Sequence, residues 1–268
     1  MTDGHGQPIG PTDALGRLGL IGGIGLTEVS VYTQRPAGDG MYSGCPHVHA
    51  VTDEAYYVLR GSGWAEFHDV RHGYRRVDLR VGDYVHFPPG VVHRLVSAPP
   101  TDGPAGEGLV VLGIMGNAGM AEQGEARVYF GPDVDADPAE YARRMDLPRR
   151  RGLDGALERR DLAVEAYRRL LALREQDERA YRAELDRFCR VHRSAMAARA
   201  DVLRAQVLHG PMAWAHATLQ RIAGLLDRPS GDIADRDPGA VAANRAGSEA
   251  ALGMCGTLRT MLRLERLQ

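Results

Sequence analysis

The sequence predicts a mainly β first half, of sandwich or barrel class, followed by an all-α second half. Three observations predict it. Short segments rich in β-branched and aromatic residues recur between residues 25 and 115, punctuated by Gly, Pro and Asp. Near residue 131 this grammar gives way to a helical one. Charge divides at the same place: residues 1–136 carry nine Arg and 16 acidic residues, net −7, whereas 137–268 carry 24 Arg and 19 acidic residues, net +5. The expected domains are therefore 1–136 and 137–268, and their opposite signs favour helices docked on the β half.

Taken in order, strands are expected at 25–33, 54–60, 64–68, 74–79, 84–87, 91–96, 108–115 and 126–130. Turn residues separate them: Gly61-Ser62-Gly63, His72-Gly73, Gly82-Asp83 and Pro88-Pro89-Gly90. Gly131-Pro132-Asp133 closes the last strand. Asp137 then precedes Pro138, with Glu140 three residues on, which is a helix start with an N-cap, Pro in the first turn and an acid beside the positive end of the dipole. Residues 153–208 read as one long continuous helix, with Leu153, Leu157, Val164, Tyr167, Leu171, Tyr181, Leu185, Phe188 and His192 on its apolar face. Pro211 opens another helix through Leu226, a polar loop follows at 227–239, and a last helix is expected to end near Gln268.

Composition narrows the function classes. The formal net charge of −2 gives no footprint for nucleic acid or an anionic membrane, and Arg149-Arg150-Arg151 is too short a run to change that. Every basic side chain apart from histidine is Arg. Cys45, Cys189 and Cys255 are scattered and form no C-x-x-C pair, so no disulfide framework is expected and a reducing cytoplasm is the simplest compartment. No apolar run approaches the roughly 18–20 residues of a membrane span, and no signal peptide is expected. The glycines at 16–25 do not complete a G-x-G-x-x-G loop and lead into a strand, which excludes a dinucleotide site there.

Chemistry concentrates at His47-Val48-His49. Side chains two apart on a strand point the same way, so both imidazoles can face one interior. Glu54 follows after a short turn, and His93 lies in the strand after Pro88-Pro89-Gly90. Two hairpins can thus aim three imidazoles and one carboxylate at a single point. That donor set suits Fe(II), Mn(II), Ni(II), Cu(II) or Zn(II).

These residues resemble the cupin superfamily. Its first motif ends H-x-H-x(3,4)-E-x6-G, and the chain has His47-x-His49-x4-Glu54-x6-Gly61. Its second is G-x5-P-x-G-x2-H-x3-N, and the chain has Gly82-x5-Pro88-x-Gly90-x2-His93-x3-Ser97. Two positions depart: Met41 stands where the leading Gly is expected, and Ser97 replaces the closing Asn. Neither is a ligand position. The resemblance covers roughly residues 25–130 and leaves the helical half unexplained. It implies a double-stranded β-helix, or jelly-roll barrel, with His47, His49, Glu54 and His93 as metal ligands.

On that basis the expected function is a metalloenzyme acting on a small molecule in the barrel mouth, with one divalent transition metal and Fe(II) favoured. An Fe(II)-dependent oxygenase using O2 comes first, because open positions on the metal let substrate and O2 meet. A non-redox Zn or Mn isomerase, lyase or rearrangement catalyst is the alternative, and a non-catalytic sensor or binding protein the third. Tyr56 and Arg60 share the face of Glu54 and are candidate catalytic residues, Tyr56 as a hydrogen-bond donor and Arg60 as an anion partner. Cys45, two before His47, is a candidate neighbour of the metal, though a small buried residue is the plainer reading. His68 and His72 flank a turn and are expected to be exposed, while His86 is expected in the core or at the surface. His192, His209 and His216 lack ligand spacing, and Trp214 and His216 are expected at a helix interface. A homodimer is expected, with the helices as a cover over the barrel.

Overall fold

The computed structural model describes residues 18–100, 108–227, 242–243 and 250–266. The β half begins with β1 (Leu18–Gly19), a 3-10 turn (Ile21–Gly23) and β2 (Gly25–Val31), then β3 (Tyr42–Ser43), β4 (His47–His49), β5 (Glu54–Arg60) and β6 (Ser62–Asp69). It continues through β7 (Gly73–Arg80), β8 (Tyr84–Phe87), β9 (Val92–Ser97), β10 (Val110–Met115) and β11 (Ala126–Val128). The helices are α1 (Pro132–Asp135), α2 (Pro138–Met145), α3 (Leu147–Gln176), α4 (Glu178–Ala197), α5 (Ala200–His209) and α6 (Pro211–Asp227). Four further strands follow: β12 (Ala242–Ala243), β13 (Ala251–Leu252), β14 (Gly256–Met261) and β15 (Arg263–Arg266).

Two antiparallel sheets form the barrel. One runs β13-β14-β2-β10-β5-β8; the other runs β11-β4-β9-β6-β7, with β3 also pairing β9. Alternation along the strands sends one set of side chains between the sheets, where Val29, Val31, Val58, Ala65, Phe67, Leu79, Leu95 and Val111 form the core. The outer face of the second sheet is also covered. Val48, Val92 and Tyr129 pack there against Ala166, Tyr167 and Leu170 of α3 and Tyr181, Leu185 and Phe188 of α4. The helices are therefore docked on the barrel through Tyr167, Leu171, Tyr181, Leu185 and Phe188 of the expected apolar face, whereas Leu153 is exposed.

The start of α2 is as expected: the Asp137 carboxylate accepts from the backbone N–H groups of Ala139 and Glu140 at 3.0 and 3.1 Å. Two other expectations are corrected. The single helix over 153–208 is three helices. Asp177 leaves the helical conformation (φ −151°, ψ 93°) and caps α4 through Ala180 N–H, and a second break falls between α4 and α5. The apolar spacing hides the Asp177 break because α3 and α4 bury their stripes in the same cluster. Where a last helix was expected, the described residues 250–266 are strands, and β14 pairs with β2 along its whole length. Leu, Arg and Met favour helix locally, but the open edge of β2 decides the conformation. The polar loop expected at 227–239 lies, beyond Asp227, outside the described residues. Among the described residues no helix is long and apolar enough to cross a membrane.

Candidate metal centre

β4, β5 and β9 bring His47, His49, Glu54 and His93 to one buried point. His47 pairs in register with His93, and Glu54 opens β5 opposite Phe87. Gly90, at φ +83°, makes the turn into β9 and donates its N–H to His49 O at 2.9 Å, tying that turn to the end of β4. His47 Nε2 lies 3.0 Å from His93 Nε2. Glu54 Oε2 lies 3.1 Å from His49 Nε2 and 3.2 Å from His93 Nε2. One donor atom from each of the four residues falls within 4.8 Å of the others, and the group could hold a metal ion.

The opposite ring nitrogens fix which atoms are free. His47 Nδ1 donates to Cys45 O and His93 Nδ1 to Val91 O, both at 3.0 Å. A carbonyl only accepts, so these rings carry their proton on Nδ1, and in the neutral form their Nε2 lone pairs face each other. Two lone pairs 3.0 Å apart repel unless a cation lies between them. Glu54 Oε2 is buried without a hydrogen-bond partner. Metal–nitrogen and metal–oxygen bonds of about 2.0–2.2 Å, at angles between square and tetrahedral, separate neighbouring donors by about 2.8–3.6 Å. The observed 3.0, 3.1 and 3.2 Å fall inside that range. The residues therefore fit a divalent transition metal.

Glu125 is a residue of the candidate site that the sequence reading missed. It is buried just before β11; Oε2 accepts from His49 Nδ1 at 2.6 Å, and Oε1 accepts from the backbone of Val51 and Thr52 at 2.6 and 2.9 Å. His192 of α4 donates Nε2–H to Glu125 O at 2.5 Å, so the helical layer reaches the site through one intermediary. Burial opposes charge on His49, but the Glu125 hydrogen bond and the nearby Glu54 carboxylate outweigh it and raise its pKa to about 10 without a metal. Glu54 would be raised by burial; His49 and His93 instead hold it below the usual carboxylate range. Desolvation, then the neighbouring imidazoles, push His47 well down.

Tyr56 lies inward as expected, fully buried, its ring 5.2 Å from Phe87 and 6.2 Å from His93. Its hydroxyl has no hydrogen-bond partner, and burial keeps it protonated. Arg60 does not face the interior. The ladder skips Leu59, pairing Val110 with Arg60 and Val111 with Val58, and this bulge turns Arg60 outward, where its half-exposed side chain lies 3.7 Å from Glu28. Cys45 is buried, but among Val128, Phe130, Val134 and Ala163 under the helices; only its carbonyl serves the site. The sulfur beside the cluster is Cys255, whose Sγ lies 3.4 Å from His47 Nε2. No local pattern signals it, since 208 residues separate the two.

His68, expected to be exposed, is buried between barrel and helices. Tyr167 donates its hydroxyl to Glu66, so it accepts from His68 Nε2–H at 2.5 Å, and Tyr181 donates to His68 Nδ1 at 2.7 Å. Desolvation, then the charges of Arg174 and Arg94, lower the His68 pKa to about 3. His72 and His86 are exposed, each beside an aspartate.

A two-sheet barrel with buried His and Glu donors drawn from both sheets defines a class, the β-barrels whose interior could hold a metal ion. The family model for the Cupin domain matches residues 36–105. The barrel half thus contains a cupin domain. Solved structures similar over part of the chain include oxalate decarboxylase from Bacillus subtilis, at 18% identity and TM-score 0.29, covering 46% of this chain and 25% of that one. Another is the capsular polysaccharide assembling protein CapF from Staphylococcus aureus, at 14% identity and TM-score 0.28, covering 38% and 25%. A third is the 11S globulin from Wrightia tinctoria, at 19% and 0.28, covering 35% and 20%. Each match spans a quarter or less of the other protein's length. A comparison with curated protein sequences finds no match.

Proposed function

We propose that this chain is a metal-dependent cupin enzyme that oxidises a small molecule with O2, with His47, His49, Glu54 and His93 holding one Fe(II). The observation that carries the reading is the set of three imidazole Nε2 atoms and one unpartnered carboxylate oxygen facing one another in a buried space. Fe(II) held by these four residues would supply the redox chemistry that O2 activation needs. The chain's own residues do the rest. Glu125 holds His49 in orientation, and the Cys45 and Val91 carbonyls do the same for His47 and His93. Tyr56 offers a protonated hydroxyl that a substrate oxygen can accept. Phe87, Val58 and Leu95 keep the surroundings apolar and exclude water. We further propose that the enzyme acts as a homodimer.

The test combines elemental analysis of protein purified without a metal-affinity tag with O2 uptake across a panel of small molecules. About one transition metal per chain is expected, with O2 consumption lost on chelation and restored by Fe(II) alone. Equal rescue of turnover under nitrogen by Zn(II) or Mn(II) replaces the oxygenase reading with that of a non-redox isomerase or lyase. Full turnover after verified metal removal overturns both.

A further inference from the structure

We propose that the cleft between α4, α5 and one end of the barrel binds a small organic acid. Arg193 and Arg204 hold its carboxylate, and apolar walls take its hydrocarbon body. The inference goes beyond the metal reading and stands without it. The cleft has a volume of about 400 Å3, inside the roughly 300–1,000 Å3 of small-molecule sites. Ala50 and Val51, the two residues after His49, line one side together with Asn117 and Met120. Met196 near the end of α4, and Leu203 and Val207 of α5, line the other. This is the end of the barrel where the four donors meet. β4 ends there at His49, β5 begins at Glu54, and Met115, the last residue of β10, pairs with Glu54.

Both sides of the cleft are fixed. Val51 N–H donates to Glu125 Oε1 at 2.6 Å, and His192, next to Arg193 on α4, donates to Glu125 O. One residue thus anchors the floor and the α4 wall. Arg199, at the break between α4 and α5, donates to Gln123 O at 2.5 Å. Gly119 has φ +83°, and a Cβ there would stand 3.0 Å from Gln206 Oε1, so glycine lets the segment carrying Asn117 and Met120 approach α5. The charge of the cleft is one-sided: two arginines line it, and no carboxylate does among the described residues. From 182 to 204 the other arginines are all engaged. Arg182 pairs with Glu178, Arg187 with Glu184 and Asp135, and Arg190 with Asp186, while Arg199 holds Gln123 O. Arg193 and Arg204 are exposed and have no hydrogen bond or ion pair to any described residue. Guanidinium forks grip a carboxylate through paired hydrogen bonds. A cation is repelled here, and a bare inorganic anion leaves Met120, Met196, Leu203 and Val207 uncovered.

Calorimetric titration of the full-length protein with octanoate tests this. Saturable binding is expected, with a Kd on the order of 0.1–1 mM. Octan-1-ol and octylamine lack the carboxylate; acetate and inorganic phosphate lack the hydrocarbon body. Each should bind at least about tenfold more weakly than octanoate. Arg193→Gln and Arg204→Gln should each weaken octanoate by about three- to tenfold, and together by more. Arg190→Gln, on α4 but outside the cleft, should leave binding unchanged. All three side chains are exposed, and circular dichroism establishes that each variant is folded. Octan-1-ol or phosphate binding as tightly as octanoate overturns the proposal. So does a double variant that binds octanoate like wild type, or no saturable binding up to about 10 mM. None of these readouts involves a metal, so the metal reading stands or falls separately.

Discussion

At the residue scale, the sensitive positions are those that decide which atom of each ligand is free. Glu125→Gln keeps an oxygen for the Val51 and Thr52 N–H groups but presents His49 Nδ1 with a neutral amide. Affinity for metal should fall by about 10–100-fold, read by competition with a chelator, and the metal-free protein should also melt earlier, because the buried His49 loses its carboxylate partner. Tyr56→Phe removes a buried hydroxyl without a partner, so the metal-free protein should gain up to about 1–3 kcal/mol in denaturant unfolding while turnover falls. If stability and turnover fall together, Tyr56 is only a packing residue. His68 sets a pH dependence. Its pKa is depressed to about 3 in the folded protein, against about 6.5 unfolded, so the unfolded chain binds the extra proton. Its contribution is fully present above about pH 6.5 and is lost as pH falls toward 3, by up to about 1.4 kcal/mol per pH unit. His68→Gln should flatten the stability–pH curve in that window by up to one proton. The four clustered donors were legible because two local motifs carry them on neighbouring hairpins. Glu125 and Cys255 were not, because they reach His49 and His47 across 76 and 208 residues with no periodicity to mark them. Arg60 misled for a local reason: alternation is counted on an unbroken strand, and the bulge at Leu59 adds a residue that counting does not see.

At the element scale, the strands of the barrel were readable from turn residues and alternation; Glu54–Arg60 and Tyr84–Phe87 fall where expected. The helical boundaries were less so, because α3 and α4 share one apolar stripe and the break between them is a single aspartate. Their joint packing on β4 and β9 makes a prediction that an independent helical module would not. Leu185 is buried in the cluster that includes Val48, between the two histidines of β4, and Val92, next to His93. Leu185→Ala should cost about 2–5 kcal/mol in one cooperative unfolding transition. It should also loosen metal retention, measured as dissociation into excess chelator. Two separate transitions, with metal release following only one of them, would show barrel and helices unfolding independently.

At the scale of the whole molecule, Leu219, Ile222, Leu225 and Leu226 make an exposed apolar stripe along α6 among the described residues. Such a stripe is the kind of surface on which copies of a chain associate. Light scattering should give the mass of a homodimer, and Leu219→Glu combined with Ile222→Glu should return it to monomer with its metal still bound. The last strand of the barrel carries a different consequence, one of time. β2 is synthesised before the α-helices, yet one of its two partners, β14, begins at residue 256, after the helical layer. At about 5–20 residues per second, roughly 10–45 s pass on the ribosome with that edge of β2 unpaired. During this interval the nascent chain already carries His47, His49, Glu54 and His93, while β2 has only β10 to pair with. A metal captured then would join β4, β5 and β9 before the second edge of β2 is covered. The donors of the centre are thus all made before the strand that closes the sheet beside them.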